Sequence, residues 1–227
     1  MSFRLRMSFS SQSPSLLLGT RNAGKVREIE TILGSVSWRI RSLQEFAGIA
    51  VAPEDAETYA GNAILKAQFY ARATGLCALA DDSGLEVAAL DDAPGVYSAR
   101  YAGENASDAD RRKLLLFNLE SAALVDRRAR FVCAVTIATP DGHVLNVAEG
   151  ICNGTIIFEE RGSNGFGYDP LFVPDGFSET FAELSDSIKN RISHRARALL
   201  KTREFLISEA PLLPFEQTQL DQPTSDS

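Results

Sequence analysis

The sequence predicts a mixed α/β fold, because segments with strand character and segments with helix character alternate along most of its 227 residues. Three observations support this prediction. A short apolar run leads into helical spacing after Gly24, two apolar runs flank a Pro-Asp-Gly turn in the middle, and residues 193–207 form a last helical segment. With 44% hydrophobic residues, the chain can bury one sizeable core. Its length fits one domain or two closely joined lobes.

The first half of the chain predicts the order strand, helix, helix, strand. Residues 16–18 are an apolar run typical of a strand, and apolar residues at helical spacing after Gly24 predict a helix. A second helix is predicted over residues 58–73, with Thr58 as its N-cap and a glycine as its stop. The apolar run 76–80 then predicts a strand that ends at two aspartates.

The second half predicts a helix, a hairpin and a final helix. Residues 107–119 fit a helix with a serine cap and acidic residues in its first turn. Residues 131–139 and 144–149 are separated by Pro-Asp-Gly and predict a hairpin, to which residues 152–158 would add a further strand. A glycine-rich loop follows, and the last helix is expected over residues 193–207.

The two ends of the chain differ from its middle in composition. Residues 1–14 are rich in serine and predict a disordered extension. Residues 209–227 contain three prolines and many polar residues, and predict a disordered tail. The folded domain is therefore expected over residues 15–208.

Net charge and apolar content limit the class of partner. A formal net charge of −7 argues against a general nucleic-acid binder, which needs an extended basic surface. No segment approaches the roughly 18 consecutive apolar residues of a membrane span. We therefore expect neither a nucleic acid nor a membrane as a partner. Cys77, Cys133 and Cys152 stand singly in apolar stretches, which predicts buried reduced thiols and favours the cytoplasm.

The charges are unevenly distributed along the chain. Residues 187–203 hold six Lys or Arg and no Asp or Glu, whereas Asp81 and Asp82 form an acidic pair. A basic segment facing an acidic one suits a small polyanion that arrives with a divalent metal ion.

The first candidate segment is the turn of residues 19–25, between the first strand and the first helix. Backbone amides at a helix start attract anions, and Thr20, Asn22 and Lys25 add donors for phosphate oxygens. The turn fits the GxxxxGK pattern of a P-loop, but Val26 stands where that motif needs Ser or Thr for magnesium. An ordinary turn with a solvated lysine is the alternative.

The second candidate segment is the acidic pair. Neighbouring strand residues face opposite sides, so one of Asp81 and Asp82 is expected to point into a cleft, where it could bind a hard cation or accept a proton from water. Glu54, Asp55 and Glu57 precede the second helix, and one of them could complete a magnesium site. An acidic surface turn and favourable helix-start charges are the alternatives.

The third and fourth candidate segments lie near the end of the domain. In the loop of residues 162–170, glycines allow close approach, and Phe166 or Tyr168 offers a face for a purine unless both pack into the core. Lys189 and residues 192–195 would place cations at the start of the last helix, where the helix dipole disfavours them. An anionic or carbonyl-bearing ligand nearby would explain them, and a solvated basic face is the alternative.

Taken together and in this order, the segments resemble the inosine triphosphate pyrophosphatase family, also described as dITP/XTP pyrophosphatases. The resemblance runs from about Leu16 to Leu206. The motifs that carry it are TRNAGK at 20–25, NAILKA at 62–67, ADDSGL at 80–85, APGVYSARY at 93–101, GFGYDP at 165–170 and ISHR at 192–195.

The resemblance implies an elongated mixed sheet with flanking helices, two lobes around a central cleft, and a homodimer. It implies that Asp82 binds Mg²⁺ and accepts a proton, that Glu54 is the second metal ligand, and that Ser83 contacts the substrate. It also implies substrate-binding roles for the following residues: Thr20, Arg21, Asn22, Ala23, Gly24 and Lys25 at the triphosphate, and Phe166, Gly167, Tyr168, Asp169, Lys189, His194 and Arg195 around the base and sugar.

The implied reaction is the hydrolysis of nonstandard purine nucleoside triphosphates (ITP, dITP and XTP) to the monophosphate and pyrophosphate, which removes them from the nucleotide pool. Magnesium would activate the water, with Asp82 as the proton acceptor. Inosine and xanthosine carry a 6-carbonyl where adenine carries an amino group, so a donor from Lys189, His194 or Arg195 would favour them.

Three other functions compete with this one. A pyrophosphatase for modified pyrimidine nucleotides and a P-loop ATPase are both disfavoured by Val26 and by the loop of residues 166–169. A nucleotide sensor without turnover would not need the intact set of Lys25, Asp82 and Ser83.

Overall fold

The computed structural model describes residues 13–34, 36–121 and 126–208. Within them, six strands and five α-helices are present. The strands are β1 (Ser15–Leu18), β2 (Arg39–Ser42), β3 (Cys77–Val87), β4 (Arg128–Ala138), β5 (Val144–Ile156) and β6 (Phe172–Pro174). The helices are α1 (Ala23–Leu33), α2 (Tyr59–Thr74), α3 (Asp108–Ser121), α4 (Asp186–Ile192) and α5 (His194–Ser208).

The strands form one mixed sheet in the order β2-β1-β3-β4-β5-β6. The short strand β1 runs parallel to both of its neighbours, β2 and β3. The pairs β3–β4, β4–β5 and β5–β6 are antiparallel. The predicted mixed α/β fold is confirmed.

Side-chain and backbone caps fix the predicted helix ends. Thr58 accepts a hydrogen bond from the Gly61 amide at the start of α2, and Gly75 ends this helix in the left-handed conformation that glycine adopts without strain. At the start of α3, Ser107 Oγ accepts from the Asp110 amide while Asp110 Oδ2 accepts from the Ser107 amide. Both helices begin at the residues that the sequence predicts.

Two hydrophobic cores lie on one face of the sheet. The first core unites Cys77 and Leu79 of β3 with side chains of α1 and α5. The second unites Leu85 and Val87 with α3 and with the chain around β6. Because alternate strand residues share a face, Asp81 lies on this same face between the two cores. The arrangement matches the two lobes expected around a central cleft.

Strand β3 is longer than the sequence predicts. The apolar run 76–80 predicts a strand that stops at the acidic pair, whereas the strand continues to Val87. Pairing with β4 extends over residues 78–87, which holds the polar residues in extended conformation. Strand β1 pairs only as far as Leu79. The carboxylates therefore lie in mid-strand, where the edge of β3 is left open by the end of β1.

Three short elements were not predicted from the sequence patterns. Strands β2 and β6 and helix α4 have four, three and seven residues, too few to display a clear period. As a result, Lys189 lies in the last turn of α4 rather than at the start of the last helix. The segments predicted as two strands at 144–149 and 152–158 are largely one strand, β5.

The predicted domain boundaries stay predictions. Apart from residues 13 and 14, the extension of residues 1–14 lies outside the described residues, and so does the whole tail of residues 209–227. Among the helices that the structure describes, none combines the length and the apolar character needed to cross a membrane.

Candidate active site

A cavity opens at the unpaired edge of β3, between the two hydrophobic cores. It brings together residues from all four segments that the sequence singles out. Twelve of the predicted site residues line it: Asn22, Lys25, Glu54, Asp82, Ser83, Phe166, Gly167, Tyr168, Asp169, Lys189, His194 and Arg195.

Four of the six residues predicted at the triphosphate do not line this cavity. Thr20 Oγ1 accepts a hydrogen bond from the Asn22 amide, and the Arg21 guanidinium donates to the Ile49 carbonyl. Ala23 is the first residue of α1. A Cβ at Gly24 would come within 2.7 Å of the Phe166 ring, so the glycine allows the loop of the third segment to approach α1.

The start of α1 differs from a P-loop in its hydrogen bonds. Asn22 Oδ1 accepts from the Gly24 amide at 2.8 Å and from the Lys25 amide at 3.1 Å. These two amides are therefore capped by the protein itself. The turn therefore contributes the side chains of Asn22 and Lys25 to the cavity, and the amides of Gly24 and Lys25 are not free to bind phosphate.

Asp81 is fully buried and ion-paired. Its Oδ2 lies 3.0 Å from Lys25 Nζ and accepts a hydrogen bond from Arg195 Nε at 3.1 Å. Burial by itself raises the pKa of Asp81, but Lys25 and Arg195 outweigh it and hold this pKa well below its usual range. Asp81 is therefore a permanent anion that fixes two cations beside the cavity.

Asp82 has a different environment on the opposite face of β3. Asn62 Nδ2 donates to Asp82 Oδ2 at 3.1 Å, and Lys66 Nζ lies 3.7 Å from Asp82 Oδ1. Burial raises the pKa of Asp82, Lys66 and Lys25 offset this only partly, and Glu54 adds to the rise. Asp82 is thus the better proton acceptor of the acidic pair.

Glu54 reaches the cavity from the loop before α2. Its Oε1 lies 2.7 Å from Lys66 Nζ, so one ammonium group contacts both Glu54 and Asp82. Burial lowers the pKa of Lys66, but Asp81, Asp82 and Glu54 outweigh burial and raise it above its usual value. Lys66 therefore remains a cation between these two carboxylates.

The anion expected beside the basic segment is supplied by the protein. Lys189 Nζ lies 2.9 Å from Glu28 Oε1 and 2.6 Å from Asp169 Oδ2. Arg195 NH1 lies 2.5 Å from Glu28 Oε2, and Arg195 NH2 donates to Ser83 Oγ at 2.9 Å. Sequence patterns missed Glu28, although it lies one helical turn after Lys25 and so faces the same side of α1.

His194 is buried against an aromatic ring. Its imidazole stacks on Phe131 with ring centroids 4.6 Å apart and an angle of 11° between the planes. Burial, together with the charges of Arg195 and Lys189, holds the pKa of His194 well below its usual value. His194 is therefore neutral, and its Nδ1 has no hydrogen-bond partner among the described residues.

The two aromatic residues of the glycine-rich loop differ in their burial and in their contacts. Tyr168 packs into the second core and donates its hydroxyl to the Ser98 carbonyl at 3.0 Å. Phe166 remains half-buried, with Lys189 Nζ 4.9 Å from its ring centroid. Phe166 is therefore the ring whose face is better placed for a planar ligand.

The first turn of α3 holds this loop in place. Asp108 Oδ2 accepts a hydrogen bond from the Gly167 amide at 2.7 Å, and Arg112 NH1 donates to the Gly167 carbonyl at 2.8 Å. Both polar groups of Gly167 are thus fixed by one helix start. The position of Phe166 depends on these contacts.

Comparison with known protein families identifies the family of this chain. Residues 16–205 match the family model described as the Ham1 family. The chain belongs to the Ham1 family.

Curated relatives of this Ham1 chain are similar over most of their length. A dITP/XTP pyrophosphatase of Desulforamulus reducens is 49% identical over 191 residues, which cover 84% of this chain and 94% of that protein. A dITP/XTP pyrophosphatase of Desulfotalea psychrophila is 50% identical over 198 residues, which cover 87% and 86%. The resemblance drawn from the motifs is confirmed.

Solved Ham1 structures have the same fold. A HAM1 protein from Coxiella burnetii superposes with a TM-score of 0.78 at 41% identity, covering 85% of this chain and 98% of that one. A structure from Mycobacterium abscessus, described as a nucleoside-triphosphatase / dITP/XTP pyrophosphatase, superposes with a TM-score of 0.66 at 40% identity, covering 88% and 100%.

The Ham1 cavity also contains residues that sequence patterns did not assign to the site. Four of them could have been found, because they belong to motifs that support the resemblance: Lys66 to NAILKA, Gly84 to ADDSGL, and Ser98 and Ala99 to APGVYSARY. The other three reach the cavity through tertiary packing that has no local signal. The unassigned lining residues are Lys66, Gly84, Ser98, Ala99, Asp108, Arg111 and Phe131.

Proposed function

We propose that this Ham1 protein hydrolyses nonstandard purine nucleoside triphosphates, namely ITP, dITP and XTP, to the monophosphate and pyrophosphate, and so removes them from the nucleotide pool. The observation that carries the proposal is a single cavity. It is lined by Asp82, whose pKa is raised by burial, by a cluster of cations and by aromatic residues. The names of the curated relatives support the substrate class.

The cations are placed to receive a triphosphate. Lys25 and Arg195 are anchored on Asp81, so their positions are set before a substrate arrives. Such preorganised charge stabilises phosphate oxygens without a further ordering cost. Asn22 and Ser83 line the same cavity and add neutral polar groups.

Glu54 and Asp82 are the residues that would hold Mg²⁺. Both are carboxylates that line the cavity, and both already contact one cation, Lys66. No cluster of three or more His, Cys, Asp or Glu side chains suited to a metal occurs within the described residues. Magnesium does not need one, because it is usually held by one or two carboxylates with substrate phosphates and waters. When bound, Mg²⁺ supplies positive charge against the phosphate oxygens.

Asp82 is the proposed proton acceptor for the attacking water. Its pKa is raised by burial, which brings its basicity closer to the value useful near neutral pH. Water attacks the α-phosphorus, its proton passes to an Asp82 oxygen, and the bond from the α-phosphorus to the bridging oxygen breaks. The products are the nucleoside monophosphate and pyrophosphate.

Base recognition is assigned to the wall opposite the carboxylates. Phe166 offers its ring face, while Lys189, His194 and Arg195 supply polar groups around it. A fixed donor gives a hydrogen bond to the 6-carbonyl of hypoxanthine or xanthine and opposes the amino group of adenine. The buried Nδ1 of neutral His194 is a polar group that a bound base could satisfy.

We further propose that the protein works as a homodimer in the cytoplasm. The outward face of β5 exposes Val147 and Ile151, at 42% and 39%. These apolar side chains would leave water on association with a second surface, which favours association. The three cysteines are buried and free, as expected of a reducing compartment. Light scattering during size-exclusion chromatography tests the dimer, with a monomer mass as the contrary result.

The activity is tested by product identification. Purified protein with Mg²⁺ and ITP, dITP or XTP is expected to release pyrophosphate and the monophosphate, separated by ion-exchange chromatography. ATP serves as the comparison substrate and is expected to turn over far more slowly. Orthophosphate as the first product would rule out the proposed reaction.

A further inference from the structure

Lys66 places a positive charge between two carboxylates that a metal ion would also use. Its Nζ lies 2.7 Å from Glu54 Oε1 and 3.7 Å from Asp82 Oδ1. The residue is only 8% exposed, so α2 holds the ammonium group in the cavity wall rather than in solvent. The two carboxylates therefore share one internal counter-ion.

The remaining oxygens of these carboxylates also have donors. Arg100 NH1 lies 3.9 Å from Glu54 Oε2, and Asn62 Nδ2 donates to Asp82 Oδ2 at 3.1 Å. Each of the four carboxylate oxygens thus has a cation or an amide donor within 4 Å. A divalent cation that binds both carboxylates has to displace Lys66 or lie beside a charge of the same sign, and either event weakens its binding.

The other lysine near the acidic pair does not take part in this arrangement. Lys25 Nζ lies 3.0 Å from Asp81 Oδ2, and Asp81 projects to the opposite face of β3 from Asp82. Lys25 can thus meet a phosphate without releasing Glu54 or Asp82. Lys66 cannot, because the same ammonium group lies within 4 Å of both carboxylates and offsets the charge of each.

We propose that Lys66 is the resident counter-cation of Glu54 and Asp82, and that it couples the binding of the divalent cation to the binding of the nucleotide. A triphosphate in the cavity offers phosphate oxygens to the Lys66 ammonium, which frees the two carboxylates for the metal. By thermodynamic linkage, each ligand then raises the affinity of the other by the same factor. This inference rests on the proposed function for the identity of the nucleotide and of the metal ligands.

Calorimetry on four forms of the full chain tests the coupling. Mg²⁺ is titrated into wild type, Lys66→Gln, Lys66→Arg and Lys201→Gln, each alone and with a nonhydrolysable α,β-methylene analogue of ITP. Lys201 is the matched control, because its Nζ donates to the Glu149 carbonyl on β5 and not to the carboxylate pair.

Lys66→Gln is expected to bind Mg²⁺ alone about tenfold more tightly than wild type, a factor within the usual range of coupling between sites. In this variant the analogue should raise Mg²⁺ affinity less than it does in wild type. Lys201→Gln should behave as wild type, since it leaves the site unchanged, and Lys66→Arg should bind Mg²⁺ alone more weakly than Lys66→Gln, since it keeps the charge. An unchanged or weaker Mg²⁺ affinity in Lys66→Gln overturns the proposal.

A second measurement uses the wild-type protein and so does not depend on the folding of a variant. The ¹⁵Nζ resonance of Lys66 is expected to move when the analogue is added and, without the analogue, to move only at the Mg²⁺ concentrations at which calorimetry records binding. Mg²⁺ binding that leaves the Lys66 resonance unchanged overturns the proposal. Failure of the analogue to bind wild type overturns the proposed function and this inference with it, whereas analogue binding with no Lys66 effect overturns this inference alone.

Discussion

Asp81 and Asp82 are neighbours in the chain, yet they face opposite sides of β3 and meet different charges. Asp81 is held by Lys25 and Arg195, which keep its pKa low, whereas burial dominates at Asp82 and raises its pKa. One carboxylate therefore organises cations while the other stays available to accept a proton. Alternation along a strand is enough to separate the two functions.

This separation predicts opposite effects for the two amide substitutions. Asp82→Asn should lower kcat by at least about 100-fold, the usual share of a general base, with little change in melting temperature. Asp81→Asn should cost about 3–5 kcal/mol of folding free energy, because it leaves Arg195 buried without one of its partners. Steady-state kinetics and thermal unfolding measure both variants. Full activity in Asp82→Asn would contradict the assigned role.

The state of His194 gives a prediction about pH. Burial and the nearby cations Arg195 and Lys189 hold its pKa well below the usual 6.5, so the imidazole gains a proton only at pH values below this lowered pKa. Binding of inosine monophosphate should therefore show no His194 titration between about pH 6 and 8. Calorimetry on wild type and His194→Asn should give parallel pH profiles over that range. A fall in affinity near pH 6.5 in wild type alone would count against a neutral His194.

At the scale of elements, the first turn of α3 controls the aromatic wall without being part of the acidic centre. Asp108 and Arg112 together bind both polar groups of the Gly167 peptide, which lies next to Phe166 in the chain. Arg111 of the same turn donates to Asp108 and to the Ala99 carbonyl. The loop of Gly167 and the segment that contains Ala99 thus meet at one helix start.

The α3 contact predicts a selective loss of base binding. Asp108→Ala should weaken the binding of inosine monophosphate by about tenfold, the effect of losing one hydrogen bond to a charged group, and should leave pyrophosphate binding unchanged. Calorimetry with the two products measures this split. Asp110→Ala is the control in the same turn, because it removes a cap on Ser107 and makes no contact with the loop. Equal losses for both products would instead indicate general damage to the fold.

The close packing around Gly84 of β3 predicts that a larger side chain at this position lowers the stability of the fold. A Cβ at this position would lie 2.3 Å from the Gly95 carbonyl oxygen and 2.6 Å from Ser98 Oγ. Ser98 Oγ binds this loop to the strand, because it accepts a hydrogen bond from the Leu85 amide at 2.9 Å. Gly84→Ala should therefore cost about 1–3 kcal/mol, the usual range for overpacking. Chemical unfolding measures it, with the exposed Asn153→Ala of β5 as a control near zero. A stability equal to wild type would show that the loop can move without cost.

At the scale of the whole molecule, local signals predicted the parts that depend on neighbouring residues. Thr58 and Ser107 begin their helices as expected, since capping is decided within three residues. The length of β3 escaped prediction, because polar residues around Asp82 interrupt its apolar pattern and pairing with β4 maintains the strand. In this part of β3, pairing with β4 outweighs the low strand propensity of the polar residues.

The candidate site was predictable to a similar degree. The motifs named most of the lining residues, because each motif is a continuous stretch of sequence and can be recognised without knowledge of distant partners. Glu28 and Lys66 were not assigned, since their importance comes from partners that are distant in sequence: Arg195 and Lys189 for the first, and Glu54 and Asp82 for the second. Ion pairs between distant segments leave no local pattern.

The central claim is that a water molecule beside Asp82 attacks the α-phosphorus of a purine nucleoside triphosphate held in this cavity. Turnover of ITP in ¹⁸O-labelled water, followed by mass spectrometry of both products, tests that claim most directly. The label is expected in inosine monophosphate, with unlabelled pyrophosphate as the second product. Label in pyrophosphate, or release of labelled orthophosphate, would contradict the account.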